Sequence, residues 1–143
     1  MEKENNFVSL VQEMGKDILY LYTQKIGIPF EKTTELERQI LAVYLFGMAN
    51  GLPEQIKYTP LNMETGMIAV LVSIFQYSIK KAQDFVREMI ADLQSKDENN
   101  TIYAIIHRGL DGYFAYKDEL KEKVAEDIFQ IISSLEKINN KRN

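Results

Sequence analysis

The hydrophobic residues of this 143-residue chain recur every three or four positions along almost its whole length. In the first segment, one such stripe is formed by Phe7, Val11, Met14 and Ile18. A spacing of three and four residues matches the 3.6-residue turn of an α-helix, whereas a half-buried strand would alternate every second residue. No alternating run of Val, Ile and Thr accompanies the pattern. The sequence therefore predicts an all-α fold.

Signals for the starts and ends of helices divide this pattern into six segments. Thr34 and Glu37 have the spacing of a capping box, which starts the second helix. Thr59 starts the third as its N-cap, followed by Pro60, because proline is favoured at the first helical position. Gly27 ends the first helix, since glycine suits the residue after a helix. The predicted spans are approximately residues 5–25, 34–50, 59–76, 79–94, 99–116 and 117–138.

Hydropathy also predicts how these helices are arranged. The second and third helices are apolar nearly all round, which is typical of a central helix, and the other four are amphipathic. Because the connections are short, consecutive helices are expected to be antiparallel neighbours. We predict a compact single-domain bundle of about six helices over residues 1–143, with two central apolar helices wrapped by amphipathic ones. The polar residues after about 138 form a frayed tail in this prediction.

Composition excludes several classes of partner and site. Seventeen Lys and Arg against twenty-one Asp and Glu give a net charge of −4. This balance argues against nucleic acid as a partner, because proteins that bind it present a basic face. The chain has no cysteine, which excludes disulfides and thiolate metal sites.

The N-terminus and the most apolar stretch bear on location. The first ten residues are polar and mixed in charge, unlike a signal peptide. The most apolar stretch covers residues 66–75 and is shorter than the ~20 residues that cross a membrane. We therefore expect a cytoplasmic protein that does not associate with a membrane.

The residues that could perform catalysis or bind a metal are few. His107 is the single histidine, and no Gly-x-Ser-x-Gly segment is present to hold a nucleophilic serine. His107 and Asp111 are one helical turn apart, but two ligands do not make a metal site. Ala104 occupies the position at which a Glu-x-x-His motif would carry its acid. We predict no catalytic residue, no metal and no cofactor.

Four glycines lie inside predicted helices, where each is expected to cost ~1 kcal/mol relative to alanine. The simplest interpretation is that a neighbouring helix approaches closely at the missing side chain. We favour this interpretation for Gly47 and Gly109. A second interpretation for the fifth helix is that Gly109 and Gly112 shape a bend or a docking surface. The fourth glycine of the set is Gly66.

The fifth helix combines a packing face with a compact polar face. Arg108 and Asp111 face nearly opposite to its apolar residues, and His107 lies on the flank. One interpretation is a charge pair, Arg108 with Asp111 or His107 with Asp111, that holds the helix in the bundle. The other is a recognition face, because Arg and aromatic residues dominate binding surfaces. The candidate partner-binding residues are His107, Arg108, Asp111, Tyr113 and Tyr116.

Three segments carry a family resemblance: LAVYLFGMANGL at 41–52, AVLVSIFQYSIKKAQDFV at 69–86 and IYAIIHRGLDGYFAY at 102–116. The chain resembles the bacterial immunity proteins grouped as family forty-eight of the polymorphic toxin systems, over roughly residues 35–132. The positions that match best are Gly47, Asn50, Gly51, His107, Arg108, Gly109, Asp111, Gly112 and Tyr113.

The resemblance implies an all-helical, non-enzymatic protein, made beside a secreted toxin, that binds and neutralises that toxin. A toxin acting on nucleic acid would carry a basic groove, which a mildly acidic protein could block. Candidate acidic residues are Asp118, Glu119, Glu122, Glu126 and Asp127. Lys117, Lys121 and Lys123 lie among them, as on an ordinary solvated helix.

Two other functions stay open at this point. A helical regulatory or adaptor module would bind another protein with no toxin involved. A small helical enzyme would use His107 with Asp111. The sequence does not indicate an oligomeric state or the identity of the toxin.

Overall fold

The computed structural model describes residues 2–52 and 59–142 of the chain. This part contains six α-helices, a short 3₁₀ turn and no strand, which confirms the all-α prediction. The elements are α1 (Glu2–Ile26), the 3₁₀ turn (Phe30–Lys32), α2 (Glu35–Ala49), α3 (Pro60–Ser73), α4 (Ile79–Ser95), α5 (Thr101–Lys117) and α6 (Lys121–Arg142).

The predicted helix starts rest on observed side-chain caps. The hydroxyl of Thr34 accepts a hydrogen bond from the amide of Glu37 at 3.1 Å, and the Glu37 carboxylate accepts one from the Thr34 amide at 2.8 Å. Thr59 forms the equivalent reciprocal pair with Asn62, both at 3.1 Å, and Pro60 follows it. These bonds satisfy amide groups that have no partner inside the helix, so the cap fixes where each helix begins.

Helix α3 ends at Ser73, three residues before its predicted end. Gln76 has a positive φ of 64°, a left-handed conformation that a helix cannot continue through. The amide of Tyr77 then donates to the carbonyl of Leu71 at 3.1 Å, which closes the last turn. The apolar pattern continues through this turn because Phe75 and Tyr77 are buried. Hydropathy alone therefore predicted a helix that is too long.

The boundaries of α6 also differ from the prediction. It begins at Lys121 because a turn separates it from α5, with Glu119 at a φ of 64° and the Leu120 amide bonded to the Ala115 carbonyl at 2.9 Å. Its backbone stays helical to Arg142, beyond the predicted frayed end near residue 138. No glycine or proline follows residue 138 to end it. Asn143 lies outside the described residues.

Helix α2 is the central helix of the bundle. Every residue from 40 to 49 is buried. Its most extensive contact is with α5, and it also touches α1, α3 and α6. Helix α3, which was predicted to be equally central, is instead buried along one stripe that faces α1 and α4. Leu61, on its other side, is 68% exposed.

The contact between α2 and α5 is made backbone to backbone, at glycine. A methyl group at Gly47 would collide with the carbonyl oxygen of Ile106 and lie 2.9 Å from the Cα of Gly109. A methyl group at Gly109 would collide in turn with the carbonyl oxygen of Tyr44. Real Cβ atoms do not come this close to backbone atoms, so the two helices can touch here only because both residues are glycine. The close-approach interpretation of both glycines is confirmed.

A buried hydrogen bond ties α1 to the start of α2. The Tyr22 hydroxyl donates to Oε2 of Glu37, the same carboxylate that caps α2. Both side chains are buried. Burial raises the pKa of the Tyr22 hydroxyl, and the bond to Glu37 raises it further. One carboxylate therefore receives a donor from each of two elements and fixes their relative position.

We expect Gly47→Ala to lower the free energy of unfolding by roughly 2–3 kcal/mol, because the methyl group meets backbone that must shift. The measurement is equilibrium unfolding in urea. Gly15→Ala is the matched control: Gly15 is also a buried residue inside a helix, but the new methyl meets the end of the Leu45 side chain at 3.1 Å. Its effect should stay within about 1 kcal/mol. Equal losses for the two variants would contradict the backbone contact.

Tyr22→Phe should lower the free energy of unfolding by about 1.5–3 kcal/mol, because a buried carboxylate loses a donor. Tyr20→Phe, two residues away in α1 and 64% exposed, should change it by less than about 0.5 kcal/mol. Thermal unfolding of the two variants beside the parent chain makes the comparison. A Tyr22→Phe variant as stable as the Tyr20→Phe variant would contradict the structural role of this bond.

Candidate partner-binding face

The packing of α5 against α2 determines which side of α5 faces outward. Ile105, Ile106 and Gly109 are buried against the bundle. On the opposite side, a stripe of exposed side chains follows the helical spacing of three and four residues. We call this stripe the α5 face; it comprises Ala104, His107, Arg108, Asp111 and Phe114.

Arg108 does not pair with Asp111 along its own helix. Its guanidinium forms an ion pair with Asp127 of α6. The predicted Arg108–Asp111 pair is therefore wrong. The long arginine side chain reaches across the groove between α5 and α6, where an acid on the neighbouring helix lies closer. The bridge links the two helices on this side of the molecule.

Asp111 is left without a charged neighbour in contact. It makes no hydrogen bond or ion pair with any residue in the described part of the chain. His107, one turn away, packs its ring against Tyr103 with centroids 4.4 Å apart and does not reach Asp111. The predicted His107–Asp111 pair is thus not formed between these two side chains.

Tyr113 lies in the core and not on the α5 face. It is 1% exposed, and a methyl group at Gly51 would collide with its ring. Phe114 meets Tyr113 edge to face at 5.3 Å between ring centroids and is 44% exposed. Phe114 is therefore the aromatic residue of this pair that faces outward, and the buried ring of Tyr113 packs against it.

Tyr116 faces a different side of the molecule. Its hydroxyl donates to Oδ2 of Asp17 in α1 at 2.6 Å. Lys121 also reaches that oxygen, at 3.5 Å, so one acid of α1 holds the end of α5 and the start of α6. Of the five predicted residues, the structure brings His107, Arg108 and Asp111 together, and separates Tyr113 and Tyr116 from them.

The acids at the start of α6 are partly used in contacts between helices. Glu126 binds Lys25 of α1 at 2.5 Å, and Asp127 binds Arg108 of α5. The lysine also lowers the pKa of the Glu126 carboxyl. Glu126 and Asp127 are thus each paired with a cation of a neighbouring helix, and are not simply solvated.

A cavity of about 400 Å³ lies between α5 and α6, beside the α5 face. Tyr44 of α2 lines it at a point where Gly112 leaves room, since a methyl group there would collide with the Tyr44 hydroxyl. That hydroxyl is buried and has no hydrogen-bond partner among the described residues. Ala115 and Val124 add apolar surface to the lining. The other lining side chains are polar or charged: Arg108, Asp111, Lys123, Glu126, Asp127 and Gln130.

Burial raises the pKa of Tyr44 to about 12, with Arg108 acting to lower it and Asp111 to raise it. The two charges of the α5 face therefore act on a hydroxyl that belongs to the central helix. This links the polar side of α5 to the core through a single tyrosine.

Sequence reasoning missed three contributors to this region. Phe114 is not among the predicted contact residues, because a helical wheel does not show which neighbour covers a side chain. Tyr44 lies in a run of ten buried residues, so its hydroxyl gave no separate signal. Asp127 was one acid among several, and only the packing of α6 reveals its bridge to Arg108.

The described residues contain no group of three or more His, Asp or Glu placed to hold a metal ion. None of the described helices combines the length and apolar character needed to cross a bilayer.

A match to a known family covers most of this architecture. The family model Immunity protein 48 matches residues 11–136, from within α1 to within α6. The resemblance noted in the sequence is confirmed by this match. No curated protein and no solved structure matches the chain.

The raised pKa of Tyr44 predicts how stability changes in alkali. In the unfolded chain a tyrosine ionises near pH 10, whereas folded Tyr44 keeps its proton up to about pH 12. Stability that is fully present below pH 10 is therefore lost between pH 10 and 12, by roughly 1–3 kcal/mol for this group. Tyr44→Phe should fall less steeply than the parent chain over that range in urea unfolding. Identical slopes would contradict the assignment.

Proposed function

The chain belongs to the Immunity protein 48 family, and on that premise we propose that it binds and neutralises a bacterial toxin. The observation that carries the proposal is the extent of the family match, which takes in α2, α5 and the groove beside α6. The protein acts in this proposal as a stoichiometric blocker in the bacterial cytoplasm, where it meets the toxin before the toxin reaches its target.

The α5 face is the proposed contact surface. It combines a half-exposed aromatic ring at Phe114, an acid at Asp111 that has no partner in the described part of the chain, and the imidazole of His107. Aromatic side chains are enriched in protein–protein interfaces, and the Asp111 carboxylate is able to accept hydrogen bonds from a partner. Arg108 contributes its outer surface while its guanidinium holds Asp127. Tyr113 and Tyr116 act indirectly in this proposal, by supporting the helix.

Rigidity supports binding at this surface. Helix α5 is held to α2 by backbone contact at two glycines, and its far end is held to α1 through Asp17. A surface that is already ordered loses little conformational entropy when a partner binds, so more of the contact energy becomes affinity. Such a surface suits a protein that must hold a toxin tightly.

Catalysis is not part of the proposal. His107 packs on Tyr103 and makes no bond to Asp111, so no acid–base pair is assembled at the α5 face. The chain's net charge of −4 instead favours a partner with a basic surface, because opposite charges speed the encounter of two proteins.

The test uses the toxin domain encoded beside this gene. Co-expression of the chain should restore growth to cells that make the toxin, and the two purified proteins should form a complex of defined stoichiometry. Phe114→Ala should weaken the complex by more than roughly tenfold, because a central aromatic anchor is removed. Isothermal titration calorimetry measures the affinity, and thermal unfolding shows that the variant is folded.

Leu61→Ala is the matched control. Leu61 is also an exposed apolar side chain, but it lies on α3, which makes at most a weak contact with α5. Its affinity for the toxin should equal that of the parent chain. Absence of any complex would overturn the proposed function, and an equal loss for both variants would move the contact away from the α5 face.

A further inference from the structure

One carboxylate that lines the cavity between α5 and α6 has no bonded partner in the described structure. Of its three carboxylates, Glu126 is bound by Lys25 and Asp127 by Arg108. Asp111 is the third, and it makes no ion pair or hydrogen bond within the described residues. Two of the lining acids thus pair with cations of neighbouring helices. The carboxylate of Asp111 is able to accept hydrogen bonds from a bound partner.

The hydroxyl of Tyr44 is a second polar group of the cavity that has no hydrogen-bond partner in the described structure. Tyr44 is 0% exposed, lines the cavity and lacks a hydrogen-bond partner in the described structure. A buried polar group without a partner destabilises a fold, so native proteins rarely keep one. Phenylalanine would fill the same space without that cost. The hydroxyl stands beside Gly112, next to Asp111 in the sequence.

The pairing of charges around the cavity favours a cation at Asp111. Lys25 and Arg108 neutralise two of the three carboxylates, which leaves Asp111 and the ammonium of Lys123. The guanidinium of Arg108 is already engaged by Asp127. Lys123 is exposed, and its ammonium is carried on a flexible stem that can turn into solvent. Asp111 is therefore the lining carboxylate that no cation contacts in the described structure, and a cation from outside can pair with it.

We propose that this cavity receives an arginine side chain of the toxin, with the Asp111 carboxylate and the Tyr44 hydroxyl oxygen as its acceptors. A guanidinium carries five N–H donors in a planar fork and can bond to two acceptors at once. The cavity volume of about 400 Å³ lies within the range of small-ligand sites. The inference rests on the proposed function, since it names the chemistry by which the α5 face recognises its partner.

The test uses a probe in place of the toxin. Acetyl-arginine-amide is titrated into the ¹⁵N-labelled full-length chain and followed by two-dimensional NMR. Saturable shifts of the Asp111, Gly112 and Val124 amides in the millimolar range are expected, as for a fragment of this size. Acetyl-glutamate-amide, titrated in parallel, should give no saturable shift at these amides.

Two variants separate recognition from folding. Asp111→Asn should weaken binding of the arginine probe by roughly tenfold, because a charge-assisted hydrogen bond is lost. Tyr44→Phe should weaken it severalfold while the melting temperature stays equal or rises. Tyr77→Phe is the matched control, since Tyr77 is also buried with a hydroxyl that has no partner among the described residues. It lies outside the cavity lining and should bind the probe like the parent chain.

The outcomes are distinct for this inference and for the proposed function. No saturable shift with the arginine probe, unchanged binding in Asp111→Asn, or preference for the acidic probe would each overturn the inference, whatever the toxin does. Probe binding that responds to both variants supports the inference, even in a chain that forms no complex with the neighbouring toxin. That last combination would overturn neutralisation of that toxin instead.

Discussion

The contact of α2 with α5 at Gly47 and Gly109 is the constraint on which the rest of the bundle depends. Side chains can adjust to one another, but the carbonyl oxygens that a Cβ at Gly47 or Gly109 would meet belong to helix backbone and move only with the helix. The contact therefore sets both the separation of these helices and the rotation of α5 about its own axis. Once that rotation is fixed, Arg108 and Asp111 have to face outward, toward α6 and solvent.

The same contact explains why the Tyr44 hydroxyl, a polar group of the core, lies beside α5. Tyr44 lies one turn before Gly47, so its hydroxyl emerges where α5 is closest, and Gly112 leaves room for it. A larger residue at position 112 would push the tyrosine or the helix away. The glycines of α5 thus have two roles: Gly109 permits the backbone approach, and Gly112 accommodates a side chain. The sequence favoured close approach at Gly109 and offered a bend or docking surface for both glycines, but it did not predict the contact of Gly112 with Tyr44.

Local signals in the sequence predicted the helices well. Capping residues such as Thr34 and Thr59 act through bonds to neighbours three positions away, so the sequence contains all of the information. Partners across helices were not predictable in this way. Arg108 pairs with Asp127 on α6, and Tyr113 is buried. Both contacts depend on how far apart the helices pack, which the sequence does not give. A helical wheel gives directions around one axis and no distances to the next.

Charge patterns on a helix gain meaning when the bridges between helices are known. The acids and lysines at the start of α6 have the alternation of an ordinary solvated surface, yet Glu126 and Asp127 each hold a different neighbouring helix. Exposed pairs of this kind contribute little to stability, and their main effect is to restrict side chains that would otherwise compete for other partners. An acid that stands among such pairs without one, as Asp111 does in the described part of the chain, faces no competing cation in contact. Its position rather than its charge alone therefore makes it the natural point of attachment for a basic group from outside.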